Sequence, residues 1–414
     1  MPSVVSVPID SIAAGGDGVG RNEGLVVFVP RTAPGDIVTA QISGRGHFAR
    51  GLLRNVVTPS PVRIDPPCAH YTRDRCGGCQ VQHMTYESQL AAKQIIIRDS
   101  VQRIGKRAVD PPPIARSPNE WRYRAKLTLA MRRRGARWIA GLHPYDDPSR
   151  VFSLADCPIT DRQVVAAWRE VMTADAYFPD AQSLRGSVRI TSGGPTFVMI
   201  GGNSWAARDQ FRRAVPSLAA VWWESGDEHS RKRQLLYDLR KDKSPSAAFG
   251  QVNAAMADVM REHVLDRARA LRPERVVDAY AGAGHTAIAL AADGVAVTAI
   301  ELDPDAAAWS ATRLSAPSQS IQGRVEDVLH QHLPADLVII NPPRAGVDAR
   351  VPEALQDRAA SIRAIIYVSC NPATLARDLA RLPAFEIESM QAFDMFPQTA
   401  HVETVCVLKP MAAQ

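Results

Sequence analysis

No apolar run in the 414-residue chain is long enough to cross a bilayer. The opening residues, MPSVVSVPIDSIAAGGDGVG, lack the basic segment and apolar core of a secretory leader. Both absences point to a cytoplasmic protein with no membrane partner. There is no internal repeat and no low-complexity tract, which argues against solenoid and disordered architectures, and nothing in the sequence implies an obligate protein partner. Cysteine is scarce: six residues in a chain of this length do not make a disulfide framework, and metal binding or catalysis is the better use for them.

What remains is a soluble globular composition, 46% hydrophobic and 22% charged. The length exceeds one ordinary core and suits two or three domains. A formal charge of +6 favours a polyanionic partner.

Three regions follow from patterning. Residues 1–58 alternate apolar and polar positions between glycine-rich turns, as in GGDGVGRNEGLVVFVPRTAPGDIVTAQI, and predict short strands closing a small OB-like β-barrel, with Arg45, Arg50 and Arg54 available to RNA. The proline-rich TPSPVRIDPPC opens a central region, 59–245, which holds a helical stretch, YESQLAAKQIIIRDSVQRIG, and then a β-rich pattern. Its hairpin RYRAKLTLAMRRRGARWIAGLHP carries Arg132, Arg133 and Arg134 at the tip, either a solvated turn or a phosphate contact. From 246 to 414 apolar strands alternate with alanine-rich helices, the mark of a doubly wound α/β domain.

In that last region RVVDAYAGAGHTAIALAADGVAVTAIELD reads as strand, glycine turn, helix and second strand. Gly282 and Gly284 permit a tight turn and close approach of backbone to ligand, and Glu301 closes the second strand where a carboxylate accepts from ribose hydroxyls. The unit binds a nucleoside-bearing cofactor. A dinucleotide satisfies it as well as S-adenosylmethionine does, since Gly282, Gly284 and Ala287 with an acid about twenty residues on match the dinucleotide pattern. Two further segments weigh against an NAD-dependent oxidoreductase: ADLVIINPPRAG ends an apolar strand at Asn341 before two prolines, and IIYVSCNPATLARDL sets Cys370 just beyond another. A cysteine at such an edge stands where a nucleophile would, whereas Cys406, inside HVETVCVL, is a buried strand residue. Cys68, Cys76, Cys79 and the distant Cys157 form a set of four that spacing alone leaves open between zinc and an iron–sulfur cluster.

CGGCQVQH, FGQVN, DAYAGAG, IELD, NPPRAG, YVSCNP and HVETV occur together in the order found in the RNA 5-methyluridine methyltransferase family, which the chain resembles over essentially its whole length. The resemblance implies a TRAM-type barrel, a central iron–sulfur domain and a C-terminal Rossmann-like methyltransferase domain. It implies that Cys370 is the nucleophile and Glu403 the base. It further implies that Gln251, Tyr280, Glu301 and Asn341 line the S-adenosylmethionine site, with His285 and Asp327 beside them, and that Cys68, Cys76, Cys79 and Cys157 hold a 4Fe-4S cluster rather than zinc. The expected partner is RNA, 23S rRNA ahead of tRNA, and a non-catalytic RNA-binding protein is the remote alternative. One departure stands out: the family usually has aspartate before the two prolines, where this chain has Asn341.

Overall fold

The structure, a computed structural model, describes residues 3–44, 47–226, 232–241 and 251–411. Arg45, one of the three barrel arginines, lies outside the described residues. Two compact units result, one made of Met1–Arg63, Met84–Pro118 and Ala255–Gln414, the other of Ile64–His83 and Asn119–Ala254.

The first unit begins with a closed barrel of five strands, β1 (Ser3–Ile12), β2 (Gly18–Asn22), β3 (Leu25–Val29), β4 (Ile37–Ser43) and β5 (Phe48–Thr58), in the order β1-β2-β3-β5-β4. Two-residue alternation turns Val7, Ile9, Val27, Val29, Val38 and Ala40 inward as its core. Gly20 is required where β1 crosses β2, because a Cβ there would lie 2.0 Å from the Pro8 carbonyl oxygen. Arg63 forks onto the fully buried Asp36 at 2.7–3.0 Å and so ties the segment leaving the barrel back to it.

The helix Tyr86–Arg103 and the short strand β6 (Ile114–Ala115) also belong to this unit. Residues 59–118 are thus shared between the two units rather than all lying in the central one.

The second unit is built on a seven-stranded sheet of β7 (Lys126–Arg134), β8 (Arg137–Leu142), β9 (Phe152–Ser153), β10 (Ser183–Thr191), β11 (Gly194–Ile200), β12 (Ala220–Ser225) and β13 (Lys232–Asp238), ordered β13-β12-β11-β10-β7-β8-β9. One face packs on the helices Arg162–Thr173 and Arg208–Ala214 through Trp168, Phe197 and Phe211.

The remainder of the first unit is an eight-stranded sheet. It comprises β6, β14 (Arg275–Ala279), β15 (Ala296–Glu301), β16 (Gln319–Gln322), β17 (Leu337–Ile340), β18 (Ala364–Ser369), β19 (Phe385–Phe393) and β20 (Glu403–Pro410), ordered β16-β15-β14-β17-β18-β20-β19-β6. Strands β14 to β18 are parallel, and the central β17 and β18 are buried on both faces, as helix-covered strands must be, while β16 at the edge is polar. The last strand, β20, slots antiparallel between β18 and β19. A dinucleotide-binding sheet is built from two parallel mononucleotide halves, so this antiparallel insertion separates the fold from the oxidoreductase alternative.

Candidate active site

The register sets the carboxyl ends of the parallel strands along one edge: Ala279 stands opposite both Ile300 and Ile340, and Ile340 opposite Tyr367. Ligands of open α/β sheets bind at such an edge. The residues leaving it are Tyr280, Glu301, Asn341 and Cys370.

After β14 the chain turns through left-handed backbone at Tyr280 (φ 62°), Gly282 (φ 57°) and Gly284 (φ 75°) before the helix His285–Ala292. Space in front of Gly282 is open, with no atom within 4 Å of where a Cβ would stand, while one on Gly284 would meet the Ser310 Cβ at 2.6 Å. One glycine therefore faces open space and the other permits packing. The two oxygens of Glu301 accept from the Gly282 and Asp303 amides, each at 2.7 Å, which fixes the carboxylate beside the turn. Beneath the loop, burial pushes the Asp278 carboxyl up to about 7; it accepts from the Ala287 amide, and its Oδ2 has no hydrogen-bond partner among the described residues. This loop fits a nucleoside with a cationic amino-acid tail.

Not every predicted residue joins the edge equally. His285 opens the helix after the turn, its pKa lowered by burial and by Arg261. Asn341 follows β17, its amide donating to the Ala279 carbonyl at 3.2 Å and its side chain exposed. Asp327 is half-exposed and paired with Arg350 at 2.7 Å. Gln251 belongs to the other unit, half-buried, two residues before Asn253, which bridges to Arg124.

Cys370 sits between β18 and the helix Pro372–Ala380, whose N-cap is Asn371. Asn371 Oδ1 accepts from the Ala373 amide at 3.1 Å, and Pro372 supplies a preset φ at the first helical position. A helix N-terminus favours a thiolate. Ser369 pairs with Thr404 across β18 and β20, which puts Glu403, 3% exposed, beside Cys370. Burial pushes Glu403 up to about 8, opposed by Arg344. The Cys370 thiol is also raised, by burial and then by Glu403, while Arg344 opposes as a cation and a hydrogen-bond donor.

Arg344 is a residue of the site that the sequence motifs do not single out: NPPRAG sets it simply as the residue after the two prolines. Three bonds hold its segment against the Cys370 helix. Asn371 Nδ2 donates to the Arg344 carbonyl at 3.3 Å, Arg377 donates to the Ala345 carbonyl at 2.8 Å, and the Val347 amide donates to Asp378 at 3.0 Å. The available signal was the rigid Pro-Pro turn, which fixes where the next side chain leaves the edge.

The stretch before Glu403 is pinned from the helix Tyr86–Arg103. Tyr86 donates to Asp394 at 2.7 Å, Lys93 pairs with the other Asp394 oxygen, and Gln89 exchanges bonds with Gln398 at 2.9 Å. All five side chains are buried.

In the second unit Cys68, Cys76, Cys79 and Cys157 line one cavity of about 110 Å³, with Arg124, Leu127 and Thr128 on its wall. Among the described residues, no three Cys, His, Asp or Glu side chains converge closely enough to hold a metal ion. The expected four-cysteine set is thus gathered around a space rather than onto a point.

An α/β fold carrying a cofactor loop, a strand-edge cysteine and a neighbouring buried glutamate, preceded by a closed β-barrel, is the layout of an S-adenosylmethionine-dependent methyltransferase. Residues 3–51 match the TRAM domain, and residues 231–411 match tRNA (uracil-5-)-methyltransferase. An uncharacterized RNA methyltransferase of Gloeobacter violaceus is 33% identical over 449 residues, covering 98% of this chain and 96% of its own. One from Halalkalibacterium halodurans is 30% identical over 453 residues, covering 98% and 97%. Among solved structures, a tRNA (uracil-54, C5)-methyltransferase of Pyrococcus abyssi, in complex with S-adenosyl-L-homocysteine, shares the fold with a TM-score of 0.71 at 21% identity, over 99% of this chain and 100% of that one. The chain belongs to the RNA 5-methyluridine methyltransferase family. It is an RNA uracil-5-methyltransferase.

Proposed function

We propose that the protein methylates carbon 5 of one uridine in 23S rRNA through a transient covalent bond to Cys370. The observation that carries this reading is the neighbourhood of Cys370, Glu403 and Arg344. Carbon 5 of uracil is a weak nucleophile. A thiolate adding at carbon 6 converts the ring to an enolate, and carbon 5 then takes the methyl group from the sulfonium, leaving S-adenosylhomocysteine. Glu403 removes the proton from carbon 5, the C6–S bond breaks, and Cys370 leaves as the thiolate. The base must be unstacked for either face to be reached, so the target is flipped out or single-stranded. Tyr280, Gly282, Gly284, His285, Glu301 and Asn341 would hold the cofactor, with Gln251 and Asp327 as outer contributors.

The four-cysteine layout resembles the 23S rRNA branch of the family. The solved neighbour acts on uridine 54 of tRNA, and tRNA is the second reading. Supplying labelled S-adenosylmethionine with 23S rRNA and tRNA separately, then mapping 5-methyluridine by mass spectrometry, decides between them; label on neither refutes both.

For the cysteine cavity the cluster reading is favoured over zinc. A tetrahedral zinc site draws four sulfurs to about 2.3 Å from one point, whereas thiolates on a 4Fe-4S cluster each bind a different iron around a larger core. Four thiols around a cavity suit the second. When bound, such a cluster would tie residues 68–79 to the turn at Cys157. Anaerobically purified protein is expected to be brown and to contain iron; colourless protein with stoichiometric zinc refutes the assignment.

A further inference from the structure

Asp378 is a fully buried carboxylate on the helix that begins beside Cys370, and the proposed chemistry gives it no part. Burying such a group is costly unless both oxygens are bonded, so the destinations of its bonds are informative. Oδ2 accepts from the Tyr367 hydroxyl at 2.7 Å and from the Val347 amide at 3.0 Å. Oδ1 accepts from Arg377 Nε at 2.9 Å and from Nη2 at 2.8 Å, and Arg381 lies 3.5 Å from it. The acid is thus enclosed, while both arginines reach solvent, their side chains 38% and 41% exposed.

Both oxygens lead to the same short segment. Through Oδ2 the carboxylate holds Val347 directly. Through Oδ1 it orients the Arg377 guanidinium, whose Nη2 also donates to the Ala345 carbonyl at 2.8 Å. Between these two, Gly346 turns with φ 78°, and a Cβ there would collide with Arg377 Nη2 and Asp378 Oδ2. Asn371 completes the series on the Arg344 carbonyl at 3.3 Å. Every residue from 344 to 347 is therefore seated on the helix that Cys370 leads into, three of the four through Asp378.

The side chain of Arg344 leaves from this seat. An exposed guanidinium on a loose turn would divide its time among many rotamers and favour a neighbouring anion little. One whose main chain is fixed to the helix behind the cysteine is held close to its partner by the supporting shell. Of the charged groups that act on the Cys370 thiol, Glu403 opposes ionisation and Arg344 favours it. Around Asp378 stand Tyr367, Arg377, Arg381 and, from the cofactor turn, Tyr280.

We propose that Asp378 is a positioning residue for Arg344: it fastens the turn after the two prolines to the Cys370 helix and so holds the guanidinium beside the thiol. The inference rests on the reading of Cys370 as the nucleophile. Two possible effects of this buried anion have opposite signs. A bare negative charge near Cys370 disfavours the thiolate, so removing it would make the thiol ionise more easily. An anchor for Arg344 favours the thiolate, so removing it makes ionisation harder.

The test uses the full chain without RNA, alkylated by iodoacetamide across a pH series, with the Cys370 peptide quantified by mass spectrometry. Asp378→Asn keeps the shape, but its amide must turn a donor towards either the Val347 amide or the Arg377 guanidinium, so one branch is lost. The alkylation midpoint should rise by about half to one pH unit, which is about three- to tenfold less thiolate at neutral pH. The kcat for methyl transfer should fall by the same factor while KM for RNA holds. Arg377→Ala, at a half-exposed side chain, cuts only the Ala345 branch; it should move the midpoint the same way by less, with Arg377→Lys recovering part. In an Arg344→Ala background neither substitution should move the midpoint further. A midpoint that holds or falls in Asp378→Asn, or rises as much with Arg344 absent, overturns the positioning role and leaves Cys370 as the nucleophile. If Asp378→Asn does not fold, the same two outcomes in Arg377→Ala decide. Methylation by Cys370→Ala would instead overturn the reading on which the proposal rests.

Discussion

Replacing Arg344 with alanine isolates the electrostatics of the reacting cysteine. In the wild type the guanidinium stands beside a thiol that burial and Glu403 both push away from ionisation. A hydrogen bond to a charged group contributes about 1.5–3 kcal/mol. The Arg344 side chain belongs to an exposed residue, so solvent screening selects the lower end. About 1.4 kcal/mol corresponds to one pKa unit, and hence to about a tenfold smaller thiolate fraction at neutral pH. The assay is alkylation of RNA-free protein by iodoacetamide across a pH series, with the Cys370 peptide quantified by mass spectrometry. Cys406, fully buried with its thiol pushed up to about 12, is the internal control that stays unmodified. The Arg344→Ala midpoint should move up by about one unit, and methyl transfer should fall about tenfold or more at neutral pH. Arg344→Lys should recover part of each loss. An alkylation profile superimposable on the wild type refutes the assignment of Arg344 as the group that favours the anion.

Cys370→Ala should abolish methylation, and turnover by that variant would remove the covalent mechanism; Glu403→Gln should instead accumulate a protein–RNA species that survives denaturing electrophoresis, and its absence counts against the base. Because the Cys370 thiol and the Glu403 carboxyl are both raised by burial and both act as anions, kcat/KM should climb with pH through the neutral range and go on climbing past about 8; a rate that falls over that interval contradicts this. Lys93→Ala strands the buried Asp394 carboxylate and should cost about 3–5 kcal/mol in urea unfolding, with Lys93→Met/Asp394→Leu regaining most of it. A loss below about 1 kcal/mol would show that the pair does not hold the segment leading to Glu403.

The barrel and the cofactor loop were legible because their causes are local. Alternation along β1 to β5 and the spacing of Gly282, Gly284 and Glu301 each lie within one short stretch of chain. Cys370 was legible at one remove, since an apolar strand followed by Asn-Pro marks a helix start at a sheet edge. Arg344 was not, because its position depends on bonds between segments 27 or more residues apart. Lys93 was read only as part of a helical pattern, yet it is 1% exposed and spends its charge on Asp394, 301 residues away. The hairpin arginines show the same limit: sequence grouped Arg132 with Arg133, whereas strand alternation sends their side chains to opposite faces, with Arg133 paired to Asp180.

The charges around Cys370 also order the proposed reaction. Two groups that burial pushes towards their neutral forms, the Cys370 thiol and the Glu403 carboxyl, share the cation Arg344, and Glu403 makes ionisation of Cys370 harder. One anion is therefore favoured in the resting site and two are not. If the thiolate forms first it draws on Arg344, and Glu403 keeps its proton. Bond formation to carbon 6 then removes the charge from sulfur and leaves Arg344 to Glu403, whose ionisation burial opposes and Arg344 favours. The carboxyl can release its proton to water and become the carboxylate that accepts the proton from carbon 5. A neutral amide at 341, where the family usually carries aspartate, fits this economy, because a further carboxylate on the same edge would oppose both ionisations. In the proposed reaction, base activation would thus follow adduct formation rather than precede it.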